Sequence, residues 1–478
     1  MDNNRIPLCV DLDGTLIKTD MLHESALALF KANPISILAF PFILIFKGKA
    51  ALKQWVANRF VFEPSVLPFN EDLVRFLYAQ HATGRQLVLC TASDYIIAKA
   101  IAKNLGIFAE VIASDGSVNL EGKRKAEALV SRFGEKGFDY AGNSRPDLEV
   151  WRCARNAVIV CASAGLHRDA RAICFIEKIF EPSRSRITVW GKALRFHQWL
   201  KNALLFVPLL AGHQLVDRAA WVSLFCAFVA FSLCASAVYI LNDLFDLESD
   251  RQHPRKCKRP FASGALPVYK GVLVAPLLFL LSCVVGGYVG TAFFQCLLIY
   301  FLLTCVYSVR LKQLVLVDCM TLAILYTLRI VAGAAAIGNP LSFWLLAFSV
   351  FLFLSLAFIK RFAELKAQLL QDKHKAHGRG YFTDDAPMIQ MLGIVSGFMS
   401  VLVLALYLNS PEVQLLYAQP EWVWGNVPVM VFWISWMWLR AHRGEMHYDP
   451  LIFAVKDKVS LVSGVLFVGF LLLGSLYT

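Results

Sequence analysis

The pattern of hydrophobic and polar positions changes near residue 190. Before this point, short apolar runs are separated by charged stretches, as in a soluble α/β domain. After it, long runs contain few or no charged residues, and their lengths suit one or two helices of the roughly 20 apolar residues that cross a bilayer. These runs predict nine membrane helices, over Ala193–Val216, Ala219–Leu241, Gly271–Val309 (two helices), Leu314–Gly333, Ile330–Ile359, Ala386–Pro411, Trp422–Leu439 and Val459–Thr478.

One apolar stretch interrupts the N-terminal part. Ala32–Phe46 has only 15 residues and is divided by Pro34 and Pro41, so it is too short for a membrane span. We expect either helices that lie in the membrane interface or the internal core of a cap domain, and we favour the interface. An interfacial position would imply a substrate that resides in the membrane.

The composition excludes a single soluble globule, because 57% of the 478 residues are hydrophobic and 17% are charged, against roughly 45–50% and about 25% in soluble proteins. The net charge is +12, and the basic residues collect in connections after alternate spans. Under the positive-inside rule this predicts a multi-pass membrane protein with the N-terminal region cytoplasmic and the C-terminus outside. We therefore expect no nucleic-acid partner. The 12 cysteines form no C-x-x-C pair, which predicts neither a zinc site nor a disulfide framework.

Two aspartates follow the first apolar run. Leu8–Val10 is predicted to be a strand, and Asp11 and Asp13 at its carboxyl end would project to the same side because strand side chains alternate. One such carboxylate can attack a phosphoryl group while the other transfers a proton, with Mg²⁺ screening the charges. Gly14 and Thr15 permit the turn that follows.

The motif D-x-D-G-T at Asp11 resembles the first motif of the haloacid dehalogenase superfamily of phosphotransferases. Thr91 stands where the second motif has a hydroxyl that holds the phosphoryl oxygen, and Lys125, or failing it Lys123, resembles the lysine of the third. The resemblance implies a Rossmann-type α/β domain over residues 1–182, with a helical cap at about 16–80. Asp11 would be the nucleophile and Asp13 the acid and base.

The fourth motif departs from the family pattern, which is usually G-D-x-x-x-D. Asp147 matches, but Asn143 replaces an acid and offers Mg²⁺ a carbonyl oxygen without the charge. The resemblance implies Mg²⁺ held by Asp11, Asp13, Asn143 and Asp147. Two alternatives stay open, an active phosphatase, which we favour, and a purely structural domain.

Carboxylates also cluster after the predicted span Ala219–Leu241. Asp243, Asp246 and Asp250 are three and four residues apart, which predicts one helical face. Stacked carboxylates repel one another unless a cation lies among them, and oxygen ligands suit Mg²⁺, typically together with substrate phosphates. Basic residues that could bind the same phosphates follow directly, namely Arg255, Lys256, Lys258 and Arg259.

With Asn242 and the R-P-x-x-S-G sequence that begins at Arg259, this arrangement resembles the UbiA-type intramembrane transferase superfamily over residues 188–478. The resemblance implies an all-α bundle of nine transmembrane helices. Members usually ionise a prenyl diphosphate, transfer the prenyl group to an acceptor and carry a second aspartate-rich motif. Only Asp318 remains of that motif here, which counts against ordinary prenyl transfer.

Other segments resemble the branch of decaprenyl-phosphate phosphoribosyltransferases, namely Arg195–Asn202, Tyr307–Lys312, Leu325–Arg329 and Lys360–Leu365. In that branch phosphoribosyl pyrophosphate is the donor and a polyprenyl phosphate is the acceptor. Mg²⁺ on the three aspartates would stabilise the leaving diphosphate. The resemblance implies that substrate is bound by Lys201, Asn242, Lys256, Arg259, Lys312, Tyr326, Arg329, Lys360 and Arg361.

Arg329 is informative without any resemblance. It lies inside a predicted span, where an unpaired charge is costly, so it should face the bundle interior and bind an anion. Asp318 is eleven residues away, which corresponds to roughly 16 Å of helix and is too far for a direct ion pair. Tyr381 and Asp449 are weaker candidates, to which we assign no catalytic role.

Together, the two resemblances imply an enzyme of the bacterial inner membrane that transfers 5-phosphoribose to a polyprenyl phosphate and whose soluble domain then removes the 5-phosphate of the lipid product. One alternative is conventional prenyl transfer from a prenyl diphosphate to an aromatic or small acceptor. Another is a non-catalytic lipid-binding or transport module. The length of the polyprenyl chain stays open, as does the choice between monomer and homo-oligomer.

Overall fold

A computed structural model describes residues 6–161, 163–181, 186–212, 216–370, 380–410, 417–446 and 449–475. They form two compact units. The first comprises Met1–Leu194 and Tyr239–Pro276, and the second comprises Arg195–Val238 and Leu277–Thr478. The domain boundary predicted at 182–188 falls mainly on residues 182–185, outside the described residues, so the domain limits stay a prediction.

A parallel sheet forms the centre of the first unit. Its strands are β1 Leu8–Val10, β2 Leu87–Asp94, β3 Glu110–Ser114, β4 Asp139–Gly142, β5 Asn156–Val160 and β6 Phe175–Phe180, in the order β3-β2-β1-β4-β5-β6. Val10 is paired with Leu89 of β2 and Ala141 of β4. The carboxyl ends of these three strands therefore meet beside Asp11, which confirms the predicted α/β fold.

Eight α-helices accompany the sheet in this part of the chain. They are α1 Met21–Ala32, α2 Ala39–Ala57, α3 Glu71–Ala82, α4 Tyr95–Leu105, α5 Lys123–Phe133, α6 Asp147–Cys153, α7 Ala164–Ile173 and α8 Arg186–Ala193. Leu8 and Val10 belong to one apolar core, while Cys9 between them belongs to the other, with Trp151. This alternation explains why β1 is apolar throughout, since a central parallel strand is buried on both faces.

The apolar stretch at 32–46 lies between β1 and β2. It forms a 3₁₀ helix at Pro34–Leu38 and the first part of α2, which bends at Gly48, where φ is +82°. Its apolar side chains three and four residues apart are largely exposed, as at Ile35, Leu38, Phe42 and Ile45. Because they lie on the surface of the unit, they favour the interfacial alternative over an internal cap core.

Most of the remaining chain is helical. The helices are α9 Val207–Ala211, α10 Arg218–Phe245, α11 Leu247–Gln252, α12 Val268–Val289, α13 Thr291–Val309, α14 Val317–Ile337, α15 Phe343–Leu369, α16 Ala386–Leu408, α17 Pro420–Val423, α18 Asn426–His442, α19 Pro450–Lys456 and α20 Lys458–Ser475. In the described part of the chain, seven segments are long and apolar enough to cross a membrane, those of α10, α12 to α16 and α20. The protein is a multi-pass membrane protein.

Two of the nine predicted spans take another form. The run at 193–216 contains a 3₁₀ helix, Phe196–Phe206, followed by the short α9, which has Pro208 as its second residue. A proline without an N–H group is well suited to a helix start, so it separates the two segments. The span predicted at 422–439 corresponds to α17 and to the 17 residues of α18.

The core of the second unit lies between α14, α15, α16 and α18. Phe353, Phe362, Ile434 and Trp438 are buried there, and the indole of Trp438 donates to the hydroxyl of Ser355 at 3.1 Å. The buried polar group is thus paired inside the apolar core.

Candidate active sites in the two units

Asp11 lies at the carboxyl end of β1 in a buried network. Its Oδ1 accepts a hydrogen bond from Lys125 Nζ at 2.8 Å, and the same ammonium contacts the hydroxyl of Tyr140 at 2.9 Å. Tyr140 in turn donates to Oδ1 of Asp147 at 2.9 Å. Of the two candidate lysines, Lys125 is the one that contacts Asp11, while Lys123 is not among the residues that line the surrounding cavity.

Asp13 is held by neutral donors. Its Oδ2 accepts from the hydroxyl of Ser93 at 2.6 Å, and its Oδ1 accepts from the backbone N–H of Met21 at 2.9 Å. The hydroxyl of Thr91 is buried and accepts from the N–H of Ser93 at 3.0 Å. Ser93, which the sequence reasoning missed, lines the cavity, and the strand ending at T-A-S contains the signal for it.

Residues of the fourth motif donate hydrogen bonds to Asp147. Its Oδ2 accepts from the backbone N–H groups of Asn143 at 3.0 Å and Ser144 at 2.9 Å, and from the Ser144 hydroxyl at 2.7 Å. The side chain of Asn143 instead lies beside Gly14, where a Cβ would be 2.1 Å from Nδ2. Since Gly14 also has φ of +74°, this turn requires glycine.

Burial dominates the electrostatics of this site. It raises the pKa of Asp11 to about 6, although the ion pair with Lys125 opposes the shift. Burial likewise raises the pKa of Asp13 to about 7, and the negative charge of Asp20 adds to the rise. A carboxyl group with a pKa near 7 can both donate and accept a proton at neutral pH.

The donor set around Asp11 and Asp13 fits Mg²⁺ by its chemistry. Asp11 is buried and Asp13 is half-buried, and both carboxyl groups have raised pKa values, so their negative charge is incompletely compensated and a divalent cation would stabilise it. In the described residues, no three His, Cys, Asp or Glu side chains are already grouped as in a metal site. Both oxygens of Asp147 accept hydrogen bonds from protein groups.

These residues line a cavity of about 540 Å³. The cap contributes three lysines to it, Lys18, Lys49 and Lys53. Pro267 and Tyr269, from the segment at 239–276 of the same unit, line it as well. Sequence reasoning missed this contribution, because the spacing of residues does not reveal that a segment more than 100 positions later folds beside the strand ends.

The aspartate-rich segment also belongs to the first unit. Asp243 and Asp250 are buried, and Arg259 Nη1 lies 3.2 Å from Oδ1 of Asp243 and 2.6 Å from Oδ2 of Asp250. The helix is interrupted at Asp246, which separates α10 from α11. Lys256 Nζ lies 3.9 Å from Oδ1 of Asp250. The structure thus brings two of the three aspartates together through one guanidinium.

Asp250 retains capacity for a cation. Burial raises its pKa, although Arg259 opposes the rise. Its Oδ1 is buried and has no hydrogen-bond partner among the residues that the structure describes. A buried carboxylate oxygen without a partner is unfavourable, so these oxygens fit a hard cation such as Mg²⁺.

The second unit contains a separate cluster centred on Asp449. Its Oδ2 lies 2.7 Å from Lys201 Nζ and 3.4 Å from Lys360 Nζ, and the hydroxyl of Tyr326 donates to it at 3.3 Å. Burial raises the pKa of Asp449, but the two lysines more than offset this and hold it below its usual value. The structure thus brings together three predicted substrate-binding residues, Lys201, Lys360 and Tyr326, around Asp449. From its sequence Asp449 is only a weak candidate without a catalytic role.

Arg329 is buried in the same unit. Its Nε donates to Oδ1 of Asn202 at 2.9 Å and its Nη2 to the hydroxyl of Tyr300 at 3.0 Å, while its guanidinium carbon lies 5.5 Å from the centre of the Tyr326 ring. All of its hydrogen-bond partners in the described ranges are neutral. Tyr326 thus contacts both Arg329 and the Asp449 cluster.

Arg361 is adjacent to Lys360 in sequence but has different partners. It is fully buried and forms ion pairs with Asp318 and Glu364. Tyr381 donates its hydroxyl to Asp318 and accepts the N–H of Leu316 at 2.8 Å. Asp318, which remains of the second aspartate motif, is therefore neutralised by Arg361. Arg361 contacts two carboxylates, whereas the sequence predicts that it binds a phosphate. Lys312 is half-buried on a short 3₁₀ helix, Leu311–Gln313.

Comparisons with known proteins identify relatives of the whole chain and of its membrane part. The y4nM protein of Sinorhizobium fredii is 37% identical over 467 residues, which cover 97% of this chain and 90% of that protein. The nodulation protein NoeC of Azorhizobium caulinodans is 38% identical over 57% of this chain and 88% of its own length. Decaprenyl-phosphate phosphoribosyltransferase of Mycolicibacterium smegmatis is 34% identical over 39% of this chain and 59% of that protein.

Solved structures resemble each part of the chain. A UbiA homologue from Archaeoglobus fulgidus bound to GPP and Mg²⁺ covers 59% of this chain and 99% of its own, with 15% identity and a TM-score of 0.45. A phosphoserine phosphatase in its apo form covers 40% of this chain and 98% of its own, with 15% identity and a TM-score of 0.27. The model of the UbiA prenyltransferase family matches residues 204–453, more than half of the sequence. The chain therefore belongs to the UbiA prenyltransferase family.

Proposed function

We propose that the protein transfers 5-phosphoribose from phosphoribosyl pyrophosphate to a polyprenyl phosphate in the bacterial inner membrane. The observation that carries this proposal is an excess of positive charge in the second unit, on the buried Lys201 and Arg329 and the half-buried Lys360. Three cations, Lys201, Lys360 and Arg329, lie near Tyr326, and Asp449 is the one carboxylate that ion-pairs with them in the described part of the chain. Uncompensated charge inside a membrane bundle is costly, so an anionic substrate group would stabilise it.

Two further observations favour this transfer over prenyl transfer. The chain is 34% identical to a decaprenyl-phosphate phosphoribosyltransferase over 191 residues. Asp318, which remains of the second aspartate motif, is paired with Arg361 and therefore is poorly suited to hold a second metal-bound diphosphate.

The transfer needs no protein nucleophile. A phosphate oxygen of the polyprenyl phosphate attacks the anomeric carbon of the donor, the bond from that carbon to the diphosphate breaks, and diphosphate leaves. Asp243, Asp246 and Asp250 would hold the Mg²⁺ of this reaction, and Asp11 and Asp13 that of the phosphatase-like site. When bound, Mg²⁺ supplies positive charge for phosphate oxygens. Asn242, Lys256, Arg259 and Lys312 would bind the donor phosphates. Lys201, Lys360, Tyr326 and Arg329 would hold the phosphate of the lipid.

The N-terminal α/β part would then remove the 5-phosphate of the lipid product. Asp11 attacks the phosphorus and forms an aspartyl phosphate, while Asp13 donates a proton to the departing sugar oxygen. Asp13 next takes a proton from the water that hydrolyses the aspartyl phosphate and releases inorganic phosphate. Lys125 neutralises charge at Asp11, and the hydroxyl at Thr91, with Ser93 beside it, would bind a phosphoryl oxygen. The pKa of about 7 for Asp13 supports its role in proton transfer.

The transferase is tested with purified full-length protein, Mg²⁺, donor labelled in the ribose and polyprenyl phosphate. We expect label in the lipid extract, and we expect Asp243→Asn to abolish it. Asp217→Asn is the matched control. Asp217 lies just before the start of α10, at the end of the helix opposite to Asp243, and its side chain caps the helix there. Asparagine also caps helices, so this substitution should not disturb the fold. Labelled lipid formed equally by Asp243→Asn, or transfer only from a prenyl diphosphate to an aromatic acceptor, would refute the proposal.

The phosphatase is tested by the release of inorganic phosphate from the labelled lipid product. We expect Asp11→Asn to stop release and to let the phosphoribosyl lipid accumulate. If Asp11→Asn releases phosphate at the wild-type rate, the α/β part is structural only.

A further inference from the structure

The cavity at the phosphatase-like site is completed by residues of the transferase family region. Asp11, Asp13 and Lys125 line it, and so do Pro267 and Tyr269. Pro267 and Tyr269 belong to the range 204–453 that matches the UbiA family. They also belong to the first unit, where Pro267 precedes α12 and Tyr269 lies in its first turn. An α/β phosphatase domain cut from the chain at residue 182 would lack this part of its cavity.

A buried ion pair fixes this segment to the cap. Arg251 Nη1 donates to Oε2 of Glu24 at 2.8 Å, and their side chains are only 7% and 5% exposed. Arg251 also donates from Nε to the carbonyl of Ala262 at 3.1 Å. One guanidinium thus connects cap helix α1 with the loop that leads to Tyr269.

Two more contacts hold the same parts together. A Cβ at Gly264 would lie 2.6 Å from the Cβ of Lys18, and φ is +71°, so the loop can approach the cap closely only with glycine there. Lys31 at the end of α1 donates to the carbonyl of Phe245 at 2.8 Å. Because contacts with the cap are present at Phe245, Arg251 and Gly264, the position of the segment beside the cavity is determined by several independent contacts.

Tyr269 meets the cap at His23. The two ring centres are 5.3 Å apart, and both side chains line the cavity. Tyr269 is 41% exposed, so part of its ring is available to a ligand. Aromatic rings pack against the apolar faces of ligands while polar groups around them fix orientation.

We propose that Tyr269 is a specificity-determining residue of the phosphatase-like site, where its ring packs against the sugar of a phosphorylated pentose whose phosphate lies at Asp11. Glu24 and Arg251 act as positioning residues that hold the ring in place. The identity of the sugar rests on the proposed function, whereas the contribution of Tyr269 rests on the cavity. The transferase family region thereby selects the substrate of the phosphatase.

The test measures binding without turnover. Full-length Asp11→Asn protein in detergent with Mg²⁺ is titrated with ribose 5-phosphate, and Kd is obtained by calorimetry. Adding Tyr269→Ala should raise Kd about fivefold to tenfold, the effect of losing one aromatic packing contact, and Tyr269→Phe should restore it. Tyr78→Ala, in the same unit but outside the cavity and 47% exposed, should leave Kd unchanged.

Each result decides between alternatives. An unchanged Kd in Tyr269→Ala, or no binding of ribose 5-phosphate to the Asp11→Asn protein, overturns the role of Tyr269. Arg251→Ala should also raise Kd, and exchanging the charges with Glu24→Arg and Arg251→Glu should recover part of the affinity. Failure of the wild-type protein to release phosphate would refute the proposed phosphatase while leaving the binding result interpretable.

Discussion

Lys201 and Asp449 are 248 residues apart in sequence, yet Lys201 Nζ lies 2.7 Å from Oδ2 of Asp449. Both side chains are less than 10% exposed, and Lys360 lies 3.4 Å from the same oxygen. One carboxylate therefore holds two ammonium groups in place before any substrate binds. Such preorganisation reduces the entropy lost when an anionic group joins them.

Replacing Lys201 with methionine should weaken use of the lipid acceptor. Methionine keeps the length of the side chain but removes the charge, and a hydrogen bond to a charged group contributes about 1.5–3 kcal/mol, or roughly 10- to 100-fold. We expect KM for polyprenyl phosphate to rise by this factor in the transferase assay. Lys192→Met, at an exposed lysine of α8, is the control. Unchanged KM in Lys201→Met would exclude Lys201 from the lipid phosphate site.

Arg251→Ala should lower the thermal stability of the protein. The substitution leaves Glu24 buried without its counter-charge, and breaking a buried ion pair in this way costs about 3–5 kcal/mol. Replacing both residues with methionine removes both charges and should cost much less. Thermal unfolding of the two variants in detergent measures the difference. Equal losses in the single and double variants would contradict a buried ion pair.

Arg361→Met should lower the yield and melting temperature of the protein more than the transferase activity of the fraction that folds. The guanidinium is fully buried against Asp318 and Glu364, so its loss leaves the buried Asp318 without this counter-charge. Combining Arg361→Met with Asp318→Asn should recover yield and melting temperature. We expect the folded double variant to keep transferase activity within about twofold. A folded double variant without activity would instead support the phosphate-binding role that the sequence predicted.

The metal-free N-terminal part should lose stability as pH rises. Asp11 and Asp13 have folded-state pKa values of about 6 and about 7, above their usual values, so the folded state binds protons more tightly than the unfolded state. Their stabilising contribution is complete below about pH 4 and is lost as pH rises through about 6 to 7, at about 1.4 kcal/mol per pKa unit. Mg²⁺ should offset this loss at pH 8.

Thermal unfolding at pH 5 and pH 8, in EDTA and in Mg²⁺, measures this dependence. His23, whose pKa is raised by its hydrogen bond to Asp20, changes stability in the same direction. Asp13→Asn isolates the contribution of the carboxylate, because the amide keeps the shape of the group and does not titrate. A pH dependence that is identical in wild type and Asp13→Asn would contradict the raised pKa.

Local patterns in the sequence determined the architecture. Runs of apolar residues identify the membrane helices because a bilayer requires a minimum helix length, and D-x-D-G-T after an apolar run identifies a strand end with two carboxylates. The pairing of β1 between β2 and β4 then brings Asp11, Lys125 and Asp147 together. The site residues as a set stay predictions, whereas the two-part fold is confirmed.

Only the tertiary structure decided which charges are partners. Arg361 and Lys360 are neighbours in sequence, but their side chains leave α15 in different directions, so one meets Asp318 and the other Asp449. Tyr269 lies beside the cavity that contains Asp11 and Asp13, which are more than 250 positions earlier. Periodicity describes the face of a single helix or strand, whereas the pairing of buried charges depends on which distant segments pack together, because a buried charge is stable only where its counter-charge is brought to it.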